Sequence, residues 1–298
     1  MAEARIAVIG GSGLYEMEGL TDLSEVRLTT PFGEPSEAIT IGTLESGRVA
    51  FLPRHGRAHR LNPGEINARA NIYALKLLGV SQIISVSACG SMREDIAPLD
   101  IVVPDQIFDR TKSRPSSFFG QGLVVHIGFA EPFCPRMRES MFEAAHSVGA
   151  RVHNGGTYVC IEGPQFSTKA ESRIYRQWGV DVIGMTALPE AKLAREAEIC
   201  YATLALATDY DVWHESAEPV TADMIIANLL RNIETAKSVI RETMRLLPAT
   251  GEGCACQSAL RDAIITQRER IPEDLMRDLA PLLNKYLAPA AQPDLVAP

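Results

Sequence analysis

Short runs of apolar, largely β-branched residues recur along the chain, and segments with a helical spacing of apolar positions separate them. Because these runs carry almost no polar residues, they predict strands that are buried on both faces of a sheet. The alternation with helical segments predicts an α/β fold with a central mixed, largely parallel sheet flanked by helices. The runs that predict strands are 6–9, 49–52, 83–86, 101–103, 158–161, 180–183 and 201–207.

The helical segments are marked by periodicity and by caps. One helix is predicted over 66–78 and a second over 137–148, each ending before a glycine. Thr168 and Glu171 have the spacing of a capping box, which predicts a helix start just after a strand-to-helix loop. An amphipathic period over 221–247 predicts a long helix that closes the main domain.

The chain after residue 248 differs in composition from the rest. It opens with Ala-Thr-Gly-Glu-Gly, and apolar positions around Ile264 and Leu275 predict short helices. It ends in an Ala/Pro-rich run, a composition typical of mobile segments. We therefore divide the chain into a main domain over 1–248 and a C-terminal extension over 249–298.

Charge and apolar content limit the partners. A formal net charge of -8 and a pI near 5.4 argue against a nucleic acid or an anionic membrane surface as a partner. No stretch approaches the roughly 20 apolar residues of a membrane helix, and the first residues do not resemble a cleaved signal segment. Four cysteines lie among apolar residues, as in a cytoplasmic protein, and Cys254 and Cys256 form a close pair in the extension. These observations predict a cytoplasmic location.

The first strand is followed by the loop Gly10-Gly11-Ser12-Gly13. Its backbone N–H groups and the Ser12 hydroxyl could form an anion nest. The loop does not fit the dinucleotide-binding pattern, because Glu16 stands where the third glycine should be, and it lacks the lysine of a P-loop. A tight turn without a ligand remains the alternative.

The second strand leads directly into Arg54-His55-Gly56-Arg57-Ala58-His59, which gathers two guanidiniums and two imidazoles in an acidic protein. No carboxylate stands nearby to complete a metal site, so we predict an oxyanion site and no metal ion. Arg54 is the leading phosphate anchor because a guanidinium can offer a bidentate fork to phosphate. A solvated loop with surface arginines is the alternative.

Two further strand ends carry candidate residues. Ser87-Ala88-Cys89 ends a strand in small residues that let backbone N–H groups approach a ligand closely, whereas Cys89 is more typical of a buried thiol than of a nucleophile. Asp209 and Asp211 leave another buried strand and, being two residues apart, can point into one crevice. A loop start with solvated aspartates is the alternative.

A series of short motifs along the chain, taken together, resembles one protein family more specifically than any single motif does. They occur in order over about residues 6–247 and resemble the methylthioadenosine phosphorylase branch of the trimeric purine nucleoside phosphorylases. The resemblance implies a main domain of the nucleoside phosphorylase type, assembly as a homotrimer or a hexamer, and active sites near subunit borders. The motifs are GGSGLY, TPFGEPS, RHGRAH, ACGSMRE, DQIFDRT, AEPFCP, IEGPQFSTKAES, GMTALPEA and ATDYDVW.

The resemblance also implies roles for individual residues. The proposed phosphate ligands are Ser12, Arg54, His55, Ser87, Ala88 and Thr186. The proposed contacts to the nucleoside are Phe166, Met185, Asp209, Tyr210, Asp211, His126 (contributed across a subunit border) and Ile225, with Ser167 and Ala222 setting specificity at the base and at the 5′ substituent. Asp209 is assigned to N7 of the base and Asp211 to its 6-amino group, as the catalytic pair.

The reaction implied is phosphorolysis of S-methyl-5′-thioadenosine to adenine and 5-methylthioribose 1-phosphate, with phosphate as co-substrate and with no metal or organic cofactor. The nearest alternative is a phosphorylase of 6-oxopurine nucleosides or methylthioinosine, which usually has Asn where this chain has Asp209. A nucleotide-binding module without catalysis is a more distant alternative, because it leaves Arg54 and the aspartates unexplained. The Cys-x-Cys pair resembles that of some members from hot environments, where it can form a disulfide, although reduced thiols fit equally well.

Overall fold

The computed structural model describes residues 4–15, 17–45, 47–214, 222–248 and 253–287. The strands are β1 (Ile6–Gly10), β2 (Thr21–Val26), β3 (Ile39–Leu44), β4 (Gly47–Pro53), β5 (Gln82–Ser91), β6 (Ile101–Val103), β7 (Gln106–Arg110), β8 (Val152–Asn154), β9 (Thr157–Ile161), β10 (Val182–Gly184) and β11 (Cys200–Tyr210). The α-helices are α1 (Ala68–Leu77), α2 (Pro135–Ser147), α3 (Lys169–Gln177), α4 (Glu190–Glu196), α5 (Ala222–Leu246), α6 (Glu273–Asp278) and α7 (Ala280–Leu287).

All of these strands join one mixed sheet with helices packed around it, which confirms the predicted fold class. The main path runs β2-β3-β4-β1-β5-β10-β9-β7, and β11 pairs with β5 and β6 while β8 pairs with β6. The four long central strands β4, β1, β5 and β11 are parallel, so their carboxyl ends lie at the same edge of the sheet. Antiparallel pairs lie mainly towards the outside, in β2, β3 and β6.

The sheet forks along β5. On one side β1 pairs with β5 as far as the couple Ile9–Ser85, and β10 takes over only at the couple Ile183–Gly90. In the described part of the chain, residues 86–89 therefore have no paired strand on that side, while β11 pairs with them on the other. This gap, which we call the crevice, lies where ligands usually bind in open α/β sheets.

The predicted long helix is confirmed as α5, and it is fastened to the end of β11. Its buried positions Val239 and Ile240 join the hydrophobic core on one face of the sheet. The side-chain amides of Asn228 and Asn232 donate to the carbonyls of Thr208 and Ala207 over 2.6 and 3.0 Å. These bonds fix the segment from which the two candidate aspartates project.

The extension packs onto the main domain. α6 contains Leu275, as predicted, but the helix predicted around Ile264 is wrong, since Ile264 forms an antiparallel bridge with Val125. Leu282 and Leu283 of α7 are buried in the same core as α1, so that helix gains its stability from tertiary contacts. No helix among the described residues is long and apolar enough to cross a membrane.

Candidate active site

One end of the crevice gathers most of the candidate phosphate ligands. The backbone N–H of Arg54 donates to the carbonyl of Gly10 over 2.9 Å, so the loops after β1 and β4 lie side by side. Ser87 and Ala88 lie in the stretch of β5 that faces the gap in the sheet. The backbone of Ser12 begins a 3₁₀ turn after β1, and its side chain lies outside the described part of the structure.

The guanidinium of Arg54 is buried and already engaged. Its Nε and Nη2 bond both oxygens of Glu190 over 2.5 and 3.1 Å, while Nη1 donates to the carbonyl of Val86 and Nη2 to the hydroxyl of Ser85. The guanidinium is thus held by protein partners, and the role of Arg54 as a phosphate ligand stays a prediction. The physical reason is that a charge removed from water needs a counter-charge, and Glu190, at the start of α4, supplies it.

His55 is a neutral imidazole at neutral pH. Burial and the nearby charge of Arg54 lower the pKa of His55 to about 4. Its Nδ1 lies 2.9 Å from the carbonyl of Leu61, which only accepts, so Nδ1 carries the proton and Nε2 is an acceptor. The ring stacks on His59 at 4.1 Å between centroids. This end of the crevice is thus less cationic than the sequence suggested.

A cluster of hydroxyls crosses the crevice. The Ser87 hydroxyl lies 2.7 Å from that of Thr186 and 2.9 Å from that of Tyr158. The structure therefore brings together two predicted phosphate ligands, one from β5 and one from the turn after β10, which are distant in sequence. Gly184 makes this possible, because a Cβ at that position would lie 1.8 Å from the Tyr158 hydroxyl.

Arg114 is a residue that sequence reasoning missed. Its buried guanidinium donates to the carbonyls of Met185, Leu188 and Glu162 over 2.6, 2.7 and 2.5 Å. It therefore holds the Met185 backbone in place beside the hydroxyl cluster. No periodicity or motif in its own segment would have indicated this role.

The other end of the crevice holds the two aspartates, both about 5% exposed. Burial raises the pKa of Asp209 to about 6, against a hydrogen bond of 2.6 Å from the Thr208 hydroxyl. Burial also raises the pKa of Asp211, whose Oδ2 is buried and has no hydrogen-bond partner among the described residues. No cation appears among the groups that shift either pKa.

The end of β11 brings the carboxyl groups of Asp209 and Asp211 together, whereas the side chain of Tyr210 between them points away. The Tyr210 ring stacks on His214 at 4.5 Å between centroids, and its hydroxyl donates to the carbonyl of Glu94. The predicted substrate contact of Tyr210 is therefore not made by a free side-chain hydroxyl. Gly90 pairs with Asp209 across the strands, and a Cβ there would come within 3.3 Å of the carboxylate.

The remaining candidates occupy the rim. Phe166 is 56% exposed in the loop before α3, and the neighbouring Ser167 hydroxyl is buried with no hydrogen-bond partner in the described chain. His126 is exposed, and its backbone N–H donates to the carbonyl of Ala263 in the extension. Cys89 is buried, which raises its pKa well above the usual value, as expected for an inert thiol.

The two residues predicted to line the 5′ slot lie in the first turns of α5. Ala222 begins the helix and Ile225 follows one turn later. Their side chains lie outside the described part of the structure, so their roles stay predictions.

Comparisons with known proteins identify the family of the chain. The sequence profile of the phosphorylase superfamily matches residues 5–245. The S-methyl-5′-thioadenosine phosphorylase of Gloeobacter violaceus is 57% identical over 297 residues, which cover 98% of this chain and 99% of that protein. A methylthioadenosine phosphorylase from an Antarctic soil metagenomic library superposes with a TM-score of 0.91 at 50% identity, covering 95% of this chain and 100% of the other.

A more distant solved structure is similar along most of its length. It is a variant of the adenosine/methylthioadenosine phosphorylase of Schistosoma mansoni in complex with adenine, with a TM-score of 0.82 and 34% identity over 88% of this chain and 99% of that one. The resemblance seen in the motifs is confirmed. The chain belongs to the phosphorylase superfamily and, within it, to the branch of the S-methyl-5′-thioadenosine phosphorylases.

Proposed function

We propose that the protein cleaves S-methyl-5′-thioadenosine with phosphate, giving adenine and 5-methylthioribose 1-phosphate. The names of its relatives support this assignment. The observation that carries it is the pairing of two buried, uncompensated carboxyls at one end of the crevice with a hydroxyl cluster at the other. The first suits a purine that leaves with developing negative charge, and the second suits an anionic nucleophile.

At the base end, the two aspartates match the edge of adenine that presents N7 and the 6-amino group. Asp209, with a pKa of about 6, holds a proton in a useful fraction of molecules near neutral pH and donates it to N7. The unpartnered Oδ2 of Asp211 accepts a hydrogen from the amino group. A 6-oxopurine would turn a carbonyl oxygen towards that oxygen, which disfavours the alternative substrate class.

At the other end, phosphate binds mainly to neutral dipoles. The hydroxyls of Ser87 and Thr186 turn from each other to the phosphate oxygens, and the backbone N–H groups of Ala88 and Ser12 add to them. His55 contributes its backbone N–H, and its neutral Nε2 accepts from a protonated phosphate oxygen. Arg54 contributes its charge from behind these groups.

The reaction begins as the bond between C1′ and N9 loosens and the ribosyl group becomes an oxocarbenium-like cation. The electron pair of that bond moves into the purine, and Asp209 transfers its proton to N7. A phosphate oxygen then forms the new bond to C1′ from the opposite face. Charges fixed in a water-poor crevice favour this transition state, so no metal or organic cofactor is required.

Binding of the substrate involves residues around the two ends. The carbonyl that Arg114 fixes sets the position of the Met185 backbone against the ribose. Phe166 packs on the purine, and Ser167 stands at the edge of the base pocket.

The 5′-methylthio group lies in an apolar slot formed by Ala222 and Ile225, with His126 from a neighbouring subunit. A trimer or a hexamer with shared sites follows from this arrangement, and a cytoplasmic location stays a prediction. Closing the slot removes apolar surface from water at about 25 cal/mol per Å², enough over a methylthio group to change affinity by roughly an order of magnitude.

A substrate panel tests the assignment. Purified protein is incubated with methylthioadenosine, adenosine, methylthioinosine, inosine and guanosine, with and without phosphate, and free bases are quantified by chromatography. We expect adenine release from methylthioadenosine that requires phosphate. Equal release in phosphate-free buffer would identify a hydrolase, and faster release of hypoxanthine or guanine would support the 6-oxopurine alternative.

Light scattering tests the shared site. We expect three or six chains at working concentration, and a variant broken into folded monomers should lose methylthioadenosine turnover. A fully active monomer would remove His126 from the site.

A further inference from the structure

Four cysteine side chains converge where the extension meets the main domain. The sulfur atoms of Cys134, Cys200, Cys254 and Cys256 all lie within 4.8 Å of one another. Cys134 caps the start of α2 and Cys200 begins β11, whereas the other two open the extension. Three of the four are buried and Cys254 is partly exposed.

We propose that these four thiolates bind one structural Zn²⁺ ion in tetrahedral geometry. Zinc–sulfur bonds of about 2.3 Å in a tetrahedron put the sulfurs roughly 3.8 Å apart. The sulfurs of Cys134 and Cys254 are 3.6 Å apart, and the 4.8 Å limit holds for every pair, so small rotations about side-chain bonds suffice to close the shell. As the ion binds, the thiols release their protons to solvent.

Zinc fits this donor set better than the other common metals. Four soft thiolates select zinc or iron over calcium and magnesium, and a closed Cys₄ shell with no open position is typical of a structural zinc site. Two disulfides are the competing state of the same four residues. They would require the sulfurs to separate into two pairs about 2.05 Å apart, whereas here all four cysteines are free and the sulfurs of Cys134 and Cys254 are 3.6 Å apart.

The surroundings can carry the negative charge of a tetrathiolate. The backbone N–H of Met137, in the first turn of α2, bonds to the sulfur of Cys134, at the positive end of the helix dipole. The guanidinium of Arg195 adds a positive charge on the side of Cys256.

An ion can reach the cluster from outside. A narrow pocket opens onto three of the sulfurs, which gives the entry path that a site of this kind needs. The three cysteines in its lining are Cys134, Cys200 and Cys254.

The proposed ion would fasten the extension to the main domain. The other end of the extension is held by Glu198, which bonds Lys285 and Tyr286 over 2.8 and 2.6 Å. Between these two anchors, Ala263 and Ile264 pair with the segment that carries His126. The sequence analysis predicted no metal ion, both for the loop at 54–59 and for the reaction, so the proposed structural ion departs from that prediction. The cysteine cluster escapes such reasoning because its members are far apart in the chain.

Metal analysis of the full-length protein, purified without chelator or added metal, tests the proposal. We expect about one zinc per chain by elemental mass spectrometry, and its loss in the double variant Cys254→Ser/Cys256→Ser. Cys160→Ser is the matched control, since it changes a buried thiol outside the cluster and should keep the metal. Cobalt substitution should give thiolate-to-cobalt charge-transfer bands in the wild type and in the control, but not in the double variant.

Thiol counting on the wild type decides the question even if the double variant fails to fold. The chain has six cysteines. Stoichiometric zinc, with all six thiols reactive in denaturant plus chelator and without reductant, supports the proposal. Metal below a tenth of an equivalent overturns it, with two reactive thiols indicating two disulfides and six indicating simple buried thiols.

Discussion

The two ends of the crevice treat buried charge in opposite ways. At the phosphate end, Arg54 is paired with Glu190 and His55 is neutral, so the charges are balanced before any ligand arrives. At the base end, Asp209 and Asp211 are buried with no cation acting on them among the described residues, and the pKa values of both are raised. We call the phosphate end the compensated end, because its buried charge has a counter-charge, and the base end the uncompensated end, because its buried carboxyls have none among the described residues.

The difference follows from what each end has to do in the proposed reaction. A compensated site of hydroxyls and backbone N–H groups can bind an anion and release it as a product ester without holding it too tightly. An uncompensated carboxyl prefers to be protonated, because burial without a counter-charge disfavours the ion. Burial, together with the nearby charge of Asp211, thus makes Asp209 a proton donor near neutral pH, and Asp211 offers an acceptor oxygen beside it.

The largest expected effect comes from removing the donor. Asp209→Asn should lower kcat for methylthioadenosine by about a hundred- to ten-thousandfold, the usual contribution of a positioned general acid, because an amide cannot deliver a carboxyl proton. Relative use of 6-oxopurine nucleosides should rise, since an amide can donate to a carbonyl. Steady-state assays of base release measure both. Asp211→Asn makes the same chemical change two residues away and should mainly raise the KM for the nucleoside. Wild-type rate and preference in Asp209→Asn would take this carboxyl out of the reaction.

The second effect concerns the compensated end. Glu190→Gln leaves the buried charge of Arg54 without its partner and should lower the free energy of unfolding by about 3–5 kcal/mol. The double variant Arg54→Met/Glu190→Gln should recover part of the lost free energy of unfolding, as measured by urea denaturation. Arg54→Met should also raise the phosphate KM more than the nucleoside KM, since the nucleoside lies at the other end. An unchanged phosphate KM would mean that Arg54 has a purely structural role.

Most of the fold could be predicted from the sequence where one physical signal dominated. Continuous apolar runs predicted the buried central strands, and the capping box of Thr168 and Glu171 predicted α3. β2 could not be found in this way, because its residues are mostly exposed and follow no apolar pattern. The helix predicted around Ile264 is wrong because the apolar neighbours of Ile264 suggested a helix, whereas its antiparallel bridge with Val125 sets its conformation.

The sequence predicted which residue types form the site, but it did not predict their charge states or their hydrogen-bond partners. The motifs indicated Arg54, Asp209 and Thr186, yet the hydrogen-bond partners of Arg54 and Thr186 are distant in sequence. Glu190 lies 136 positions from Arg54 and neutralises it, and Thr186 bonds Ser87 across 99 positions. Such partners are visible only once the strands are side by side.

The third effect is that the two ends change the free energy of unfolding with pH in opposite directions. The raised pKa of Asp209 means that the folded state binds its proton more tightly than the unfolded state, so this contribution to stability is present below about pH 4 and is lost as pH rises through about 6. The lowered pKa of His55 acts in reverse, with its contribution present above about pH 6.5 and lost as pH falls through about 4. Each is worth on the order of 3 kcal/mol.

Chemical denaturation between pH 4 and 7 measures these slopes. The stability difference between wild type and Asp209→Asn should shrink as pH rises, and that between wild type and His55→Gln should grow. If the stability differences of both variants changed with pH in the same direction, the proposed contrast between the two ends would be wrong.

The smallest expected effect separates the hydroxyl that contacts phosphate from the one that only supports it. Ser87→Ala removes one hydrogen bond of about 0.5–1.5 kcal/mol from the bound anion, so the phosphate KM should rise roughly three- to tenfold while the nucleoside KM stays unchanged. Tyr158→Phe is the matched control, because it takes away a partner of the same Ser87 oxygen at 2.9 Å and leaves the Ser87 hydroxyl in place. Freed from Tyr158, that hydroxyl still has Thr186 at 2.7 Å and can turn to phosphate, so the phosphate KM should change by less than about twofold. Equal effects of the two variants would mean that the cluster binds phosphate only as a unit, and that the compensated end depends on its geometry more than on any single donor.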